Sequence, residues 1–360
     1  MKIISDYTRD TASKKKNRGS YEWWYFDGIS KDREYSFVII FYEGNPFSRR
    51  YIQALSSGNN YKYQNAKEYP ALSISIYSKG KPVYYGFCEY EAENAFFDSE
   101  KIKGKAGNSE FSCSIRNEKL IYEIGLDQKL PSGDSVKGTL KFTSDIGDNL
   151  LNSKWLDNHT SSHIWNLVQP QSDVEGEFII GGYLPRTIRF TGQGYHDHNL
   201  GLEPMDNSFL EWYWGRFHFE DSTFVYYIMK KKSGDQFQAW HLGKNGSCVT
   251  IDNTFDLEYK SLNLFGLYSS RKIVIVGNGT NCLVQQDQLM DNGPFYQRFS
   301  SSIVMKSAGG VKQTRGITEY IHPGRINNRI FWPLVNMRIV YPGKKSHWVQ
   351  QSPRLYRWTW

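Results

Sequence analysis

Apolar and polar residues alternate with a period of two along this chain, and turn residues cut the alternation into short lengths. Leu72, Ile74 and Ile76 alternate with Ser73 and Ser75, and Phe111, Cys113 and Ile115 alternate with Ser112 and Ser114. Successive side chains of a strand point to opposite faces, so this spacing gives a sheet one apolar face. Denser apolar runs at 35–42, 83–90, 223–229, 272–276 and 334–340 predict further strands. Between them stand Gly44-Asn-Pro46, Ser57-Gly-Asn-Asn60, Pro131-Ser-Gly-Asp134, Gly277-Asn-Gly279 and Asp291-Asn-Gly-Pro294. No stretch keeps a helical period over three turns. Strands punctuated this regularly predict an antiparallel all-β protein, a sandwich or a barrel.

Composition agrees. The 25 Tyr, 21 Phe and 11 Trp, with 31 Gly, favour strands over helices. Tyr and Trp also line pockets that are apolar in body and polar at one edge. At 360 residues the chain is long enough for two domains. Glu22-Trp-Trp-Tyr-Phe26 recurs in type as Glu211-Trp-Tyr-Trp214, about half a chain later, and each word leads into a strand run. We therefore expect two β-units of roughly 180 residues. They are drawn as residues 1–155 and 156–360, with the polar segment 147–162 as the connection.

Several classes fall away. The formal charge of +7 comes with short basic clusters such as Lys14-Lys15-Lys16, Arg49-Arg50 and Lys230-Lys231-Lys232, none in a nucleic-acid motif. They read as solvated surface, with attraction to anionic lipid as the alternative. Cys88, Cys113, Cys248 and Cys282 form no CxxC pair, which predicts neither a zinc ribbon nor a disulfide framework. The N-terminus has no apolar signal core and no apolar run reaches bilayer length. A cytoplasmic protein is expected, or one whose signal peptide has been removed.

The chemistry concentrates in Gly192-Gln-Gly-Tyr-His-Asp-His-Asn-Leu-Gly201 and in His163-Ile-Trp165. On a strand, Tyr195 and Asp197 share one face while His196 and His198 share the other; His163 and Trp165 likewise share a face. An acid in apolar surroundings stays protonated near neutral pH and can protonate a carbon–carbon double bond. Trp and Tyr faces then stabilise the carbocation. The competing arrangement is a metal site made from His159, His163, His196 and His198, but no second acidic cluster at ligand spacing accompanies it. A serine hydrolase lacks its Gly-x-Ser-x-Gly elbow.

These words, with Gly293-Pro-Phe-Tyr296 and Gly316-Ile-Thr-Glu-Tyr320, resemble the carotenoid 1,2-hydratase family of the lipocalin-like superfamily. Tocopherol cyclase and fungal decalin-forming Diels–Alderases are more distant relatives. The likeness runs in order from about residue 20 to 340. It implies two consecutive lipocalin-like (calycin) β-barrels or sandwiches with a hydrophobic pocket near their junction. It also implies that His163, Trp165, Tyr195 and Asp197 carry catalysis, with Asp197 the proton donor. Leu200 stands where the family pattern leads us to expect Trp, a departure that bears on substrate more than on reaction class.

We thus expect acid-initiated hydration or cyclisation of an isoprenoid or other polyene, without metal or organic cofactor. Trp23, Trp24, Tyr25, His196, His198, Trp212 and Trp214 are expected to contact the substrate. A pericyclase that folds a polyene for cycloaddition, and a non-catalytic carrier of an apolar ligand, are the other classes. Trp348, Tyr356, Trp358 and Trp360, mixed with Arg354 and Arg357, predict a last strand closing the second barrel; an interfacial membrane anchor is the alternative.

Overall fold

The structure, a computed structural model, describes residues 1–14, 17–57, 64–146, 162–244 and 246–360. Contacts divide it into two compact units, residues 1–205 with 327–360, and residues 206–326. The first unit contains β1 (Lys2–Ile4), β2 (Tyr21–Ser30), β3 (Tyr35–Glu43), β4 (Ala71–Ser78), β5 (Lys81–Glu89) and β6 (Ala95–Phe97). After these come β7 (Lys103–Ala106), β8 (Ser109–Arg116), β9 (Lys119–Lys129), β10 (Ser135–Asp145), β11 (His163–Gly181) and β12 (Arg186–Gly201). The second unit holds β13 (Glu211–His218), β14 (Ser222–Lys230), β15 (Gln236–Gly243), β16 (Cys248–Thr250) and β17 (Thr254–Leu262). It continues through β18 (Tyr268–Gly277), β19 (Thr280–Asn292), β20 (Tyr296–Ser307) and β21 (Gly310–Ile321). The chain then returns to the first unit with β22 (Ile339–Val340).

Both units are curled, open sheets. The first runs β22-β5-β4-β3-β2-β12-β11-β10-β9-β8-β7-β6, with β1 added parallel to β11; the second runs β16-β15-β14-β13-β21-β20-β19-β18-β17. The duplicated words occupy equivalent places. β2 joins an early meander to β12, and β13 joins an early meander to β21. In each sheet the strand bearing the aromatic word thus pairs with a strand from the end of its unit.

The first sheet curls over an aromatic interior. Phe26 of β2 packs on Phe111 of β8, Tyr122 of β9 and Phe142 of β10, with ring centroids 5.6, 5.8 and 5.6 Å away. Gly28 and Gly194, paired across β2 and β12, let these rings lie against the backbone. A Cβ on Gly28 would stand 2.5 Å from Phe37, and one on Gly194 would stand 2.7 Å from Phe142. The second unit has its own core, in which Tyr213, Phe217, Phe224, Tyr226, Ile273, Ile275, Val284 and Phe299 are buried.

Three expectations change. The boundary at 155/156 lies outside the described residues, as do the turn at 58–60 and nearly all of the 147–162 connection. β11 and β12, expected in the second unit, pair into the first sheet, so the described division falls near residue 206. Residues 334–340 fold mainly as a helix, α3 (Trp332–Arg338; the helices α1 and α2 are Arg49–Ser56 and Met205–Ser208), before the short β22. Pro333 in the first turn of α3 has its φ preset for a helix and lacks an N–H that a strand would use. The C-terminus is likewise no closing strand but α4 (Pro353–Arg357), with Ser352 capping Leu355 N–H and Pro353 at its start. Tyr356 is fully buried there and donates to Arg338 O, whereas Trp348 and Trp358 are exposed. All four cysteines are free. No described helix is long and apolar enough to cross a membrane.

Candidate active site

β12 is the middle strand of the site, paired with β11 on one side and β2 on the other. Asp197 lies between Leu167 and Tyr25, Asn199 between Trp165 and Trp23, and Gly201 between His163 and Tyr21. Period two therefore puts Tyr195, Asp197 and Asn199 on one face with His163, Trp165, Tyr21, Trp23 and Tyr25.

The side chains close into one hydrogen-bonded network. Trp165 Nε1 and Tyr195 Oη each donate to Asp197 Oδ2 at 2.7 Å, and Asn199 Nδ2 donates to Asp197 Oδ1 at 2.9 Å. With its amide nitrogen on the carboxyl group, Asn199 turns its Oδ1 to His163 Nε2, 3.0 Å away. His163 then donates from Nε2 and accepts from Tyr21 Oη at Nδ1, 3.1 Å away. Tyr21 reaches that far because its ring lies over Gly201, where a Cβ would come within 2.1 Å of it. Trp165 and Tyr195 are fully buried, and Asp197 is 4% exposed. A carboxyl group held by three donors in a nearly dry setting has one fixed orientation, and its conjugate base is solvated in advance.

All four residues expected to carry catalysis are thus brought together. His163 reaches Asp197 through Asn199. Of the expected substrate contacts, Trp23 and Tyr25 share this face. Trp23 lies 5.9 Å from the His163 ring, and Tyr25 meets Tyr195 edge-on at 6.1 Å. Trp24, His196 and His198 do not share it. They point through the sheet into the aromatic interior, where His196 stacks on Phe26 at 3.9 Å and Trp24 stacks on His198 at 4.6 Å. Leu200 shares their side of β12, so its departure from the family pattern leaves the Asp197 face untouched. Trp212 and Trp214 stand on β13 in the second unit, on the face opposite Tyr213 and Phe217 of its core.

The two interior histidines serve a buried ionic cluster. His196 Nε2 meets Asp10 Oδ2 at 3.0 Å, and His198 meets Asp10 Oδ1 at 3.1 Å and Glu22 Oε1 at 2.8 Å. Tyr122 also donates to Asp10. Burial pushes the Asp10 carboxyl up, but the charges and hydrogen bonds of His196 and His198 outweigh it and hold Asp10 at about 2. Burial pushes His198 down, yet its bonds to Asp10 and Glu22 raise it to about 9. The cluster ties the N-terminal arm and β2 to β12. It also separates the metal candidates: His163 lies on one face of the sheet, His196 and His198 on the other, and His159 lies outside the described residues. Among the described residues no group of three or more His, Cys, Asp or Glu is placed to hold a metal ion.

Four residues escaped the sequence reading. Asn199 was within reach, since period two places it beside Asp197 on the same face. Glu22 was visible in the aromatic word, but its role depends on His198 across the strand pair. Tyr21 and Asp10 carry no local signal, because their partners are 142 and 186 residues away.

Comparison with known proteins bears on the family and the fold. The sequence model of the family described as carotenoid hydratase CrtC matches residues 44–350. A protein of Chlorobaculum tepidum named hydroxyneurosporene dehydrogenase is 26% identical, over 96% of this chain and 94% of its own. An acyclic carotenoid 1,2-hydratase of Rubrivivax gelatinosus is 26% identical, over 78% of this chain and 64% of its own. Among solved structures, CghA with Sch210972 superposes with a TM-score of 0.60 at 9% identity, covering 89% of this chain and 98% of that one. A putative AttH of Nitrosomonas europaea gives 0.58 at 14% identity, covering 88% and 96%. At these identities the structural likeness is one of fold.

Proposed function

Because the chain belongs to the carotenoid hydratase CrtC family, we propose that it hydrates or cyclises an acyclic isoprenoid by protonating a trisubstituted alkene, with Asp197 as the acid. The observation that carries this reading is the convergence of Trp165 and Tyr195 on one oxygen of a buried carboxyl group, at 2.7 Å each. Asp197 gives its proton to the less substituted alkene carbon, leaving a tertiary cation. The three hydrogen bonds from Trp165, Tyr195 and Asn199 stabilise the carboxylate left behind. The electron-rich rings of Trp165, Tyr195 and Tyr25 lie at the same face and attract a cation, worth ~2 kcal/mol in a desolvated site. Water then attacks the cation and returns a proton to Asp197, giving a tertiary alcohol; capture by an internal alkene or hydroxyl gives a ring instead. His163 acts at one remove, fixing Asn199 and through it the orientation of the acid.

The test is incubation with an acyclic carotene in deuterated water, followed by mass analysis. Protonation puts deuterium on carbon. A product without it points to a pericyclic route, and a product that has lost hydrogen points to the dehydrogenation named for the Chlorobaculum relative. In Asp197→Asn, which keeps size and polarity, turnover is expected to fall at least ~100-fold, a typical general-acid contribution. A folded variant with wild-type turnover removes the protonation mechanism.

A further inference from the structure

The tip of the β17–β18 hairpin in the second unit displays apolar side chains that fold into nothing. Leu264 is 93% exposed, Leu262 68%, Tyr259 72% and Tyr268 54%. A loose loop would explain such exposure, but this loop is strapped. Asn263 Oδ1 accepts from the backbone N–H groups of Phe265 and Leu267 at 2.9 and 2.8 Å. Its Nδ2 donates to Asn292 Oδ1 at 2.7 Å and to Gly293 O at 3.0 Å. Arg325 donates to the carbonyls of Phe265, Gly266 and Pro294 from the other side, and Leu267 is fully buried beneath the tip. The leucines are therefore held outward by a rigid frame, the arrangement expected where apolar groups meet a partner.

We propose that this tip docks on an anionic phospholipid surface. Its charge selects that occupant. Lys260, Arg271 and Lys272 stand on the two strands that lead to the tip and Arg325 straps it, against Asp256 and Glu258, and Glu258 is taken up by Lys272 at 2.7 Å. An excess of cations attracts phosphate headgroups and repels the same tip on a second copy of the chain. Aliphatic side chains enter the acyl boundary while Tyr268, with Lys260 over its ring at 5.6 Å, suits the headgroup level. Four exposed apolar residues plus a basic rim supply both signals that stable peripheral binding requires. The inference deepens the proposed function, since an isoprenoid substrate resides in lipid, but it is tested without substrate.

The test is flotation of the full chain with vesicles of phosphatidylcholine alone and of phosphatidylcholine mixed with phosphatidylglycerol. Binding is expected on the mixed vesicles, reversed by salt. The double variant Leu262→Ser, Leu264→Ser should lose roughly tenfold or more in apparent affinity, the equivalent of ~1.4 kcal/mol, with an unchanged melting temperature. Trp348→Ser with Trp358→Ser should float like the wild type. Turnover of detergent-dispersed carotene should stay at the wild-type level in the leucine variant, which keeps docking apart from chemistry. Any of three results overturns the proposal: no flotation of the wild type, wild-type flotation of the leucine variant, or loss of flotation in the tryptophan variant alone. A wild-type dimer that the leucine substitutions make monomeric would assign the tip to a second copy and overturn it as well.

Discussion

The ionic cluster beneath β12 makes stability depend on pH in a specific window. His198 is raised from 6.5 to about 9 in the folded chain. A folded pKa above the unfolded one means that folding binds the proton more tightly. The contribution is therefore complete below pH 6.5 and is lost as pH rises through 9. At ~1.4 kcal/mol per unit, the shift corresponds to about 3 kcal/mol. The depression of Asp10 to about 2 describes the same contacts from the other partner and is not added to it. For a domain of 150–250 residues, 1 kcal/mol moves Tm by ~2–4 °C, so Tm of the first unit should fall by roughly 6–12 °C between pH 6 and 10. His198→Gln should start lower at pH 6 and follow a flatter course, because no proton is then linked to folding at that position. The assay is scanning calorimetry at several pH values for both proteins, with the imidazole of His198 followed by NMR. An imidazole titrating near 6.5, or equal declines in wild type and variant, would refute the reasoning.

Trp165→Phe removes one donor to Asp197 and keeps most of the ring, so turnover should fall by about 10- to 100-fold, the worth of a hydrogen bond to a charged group. Asn199→Leu should lower turnover comparably while leaving the Asp197 carboxyl present, and steady-state kinetics with unchanged circular dichroism would check both. Deleting residues 352–360 removes the fully buried Tyr356 and should lower Tm by several degrees; unchanged melting would show that α4 is dispensable to the first unit.

The strands were legible in the sequence because alternation is a local property. The alternating runs at 72–76 and 111–115 lie in β4 and β8, and the turns at Gly44, Pro131 and Gly277 fall where strands end. Half of the acid face was legible for the same reason, since period two aligns Tyr195 with Asp197 and His163 with Trp165, whereas the register of β11 on β12 joins the two pairs. Membership of a sheet is not local. Nothing in β11 or β12 states that they pair with β10 and β2, and nothing in 339–340 states that the chain returns to lie beside β5. Asp10 was invisible because its partners are far along the chain. The two C-terminal helices depart from the expected strands for a different reason: Pro333 and Ser352-Pro353 are helix-start signals, and they outweigh the apolar and aromatic residues around them.

Asn199 stands between His163 and Asp197, and an amide does not relay protons. The line from Tyr21 to Asp197 therefore transmits orientation but acts as an insulator for charge. Under the proposed mechanism, His163 has no hydrogen-bonded route through Asn199 by which to recharge the spent acid. Under that mechanism the carboxylate recovers its proton on the substrate side, from the very water that captures the cation. One turnover then leaves the site in the state in which it began, and in deuterated water the first turnover draws on a label that the enzyme already holds.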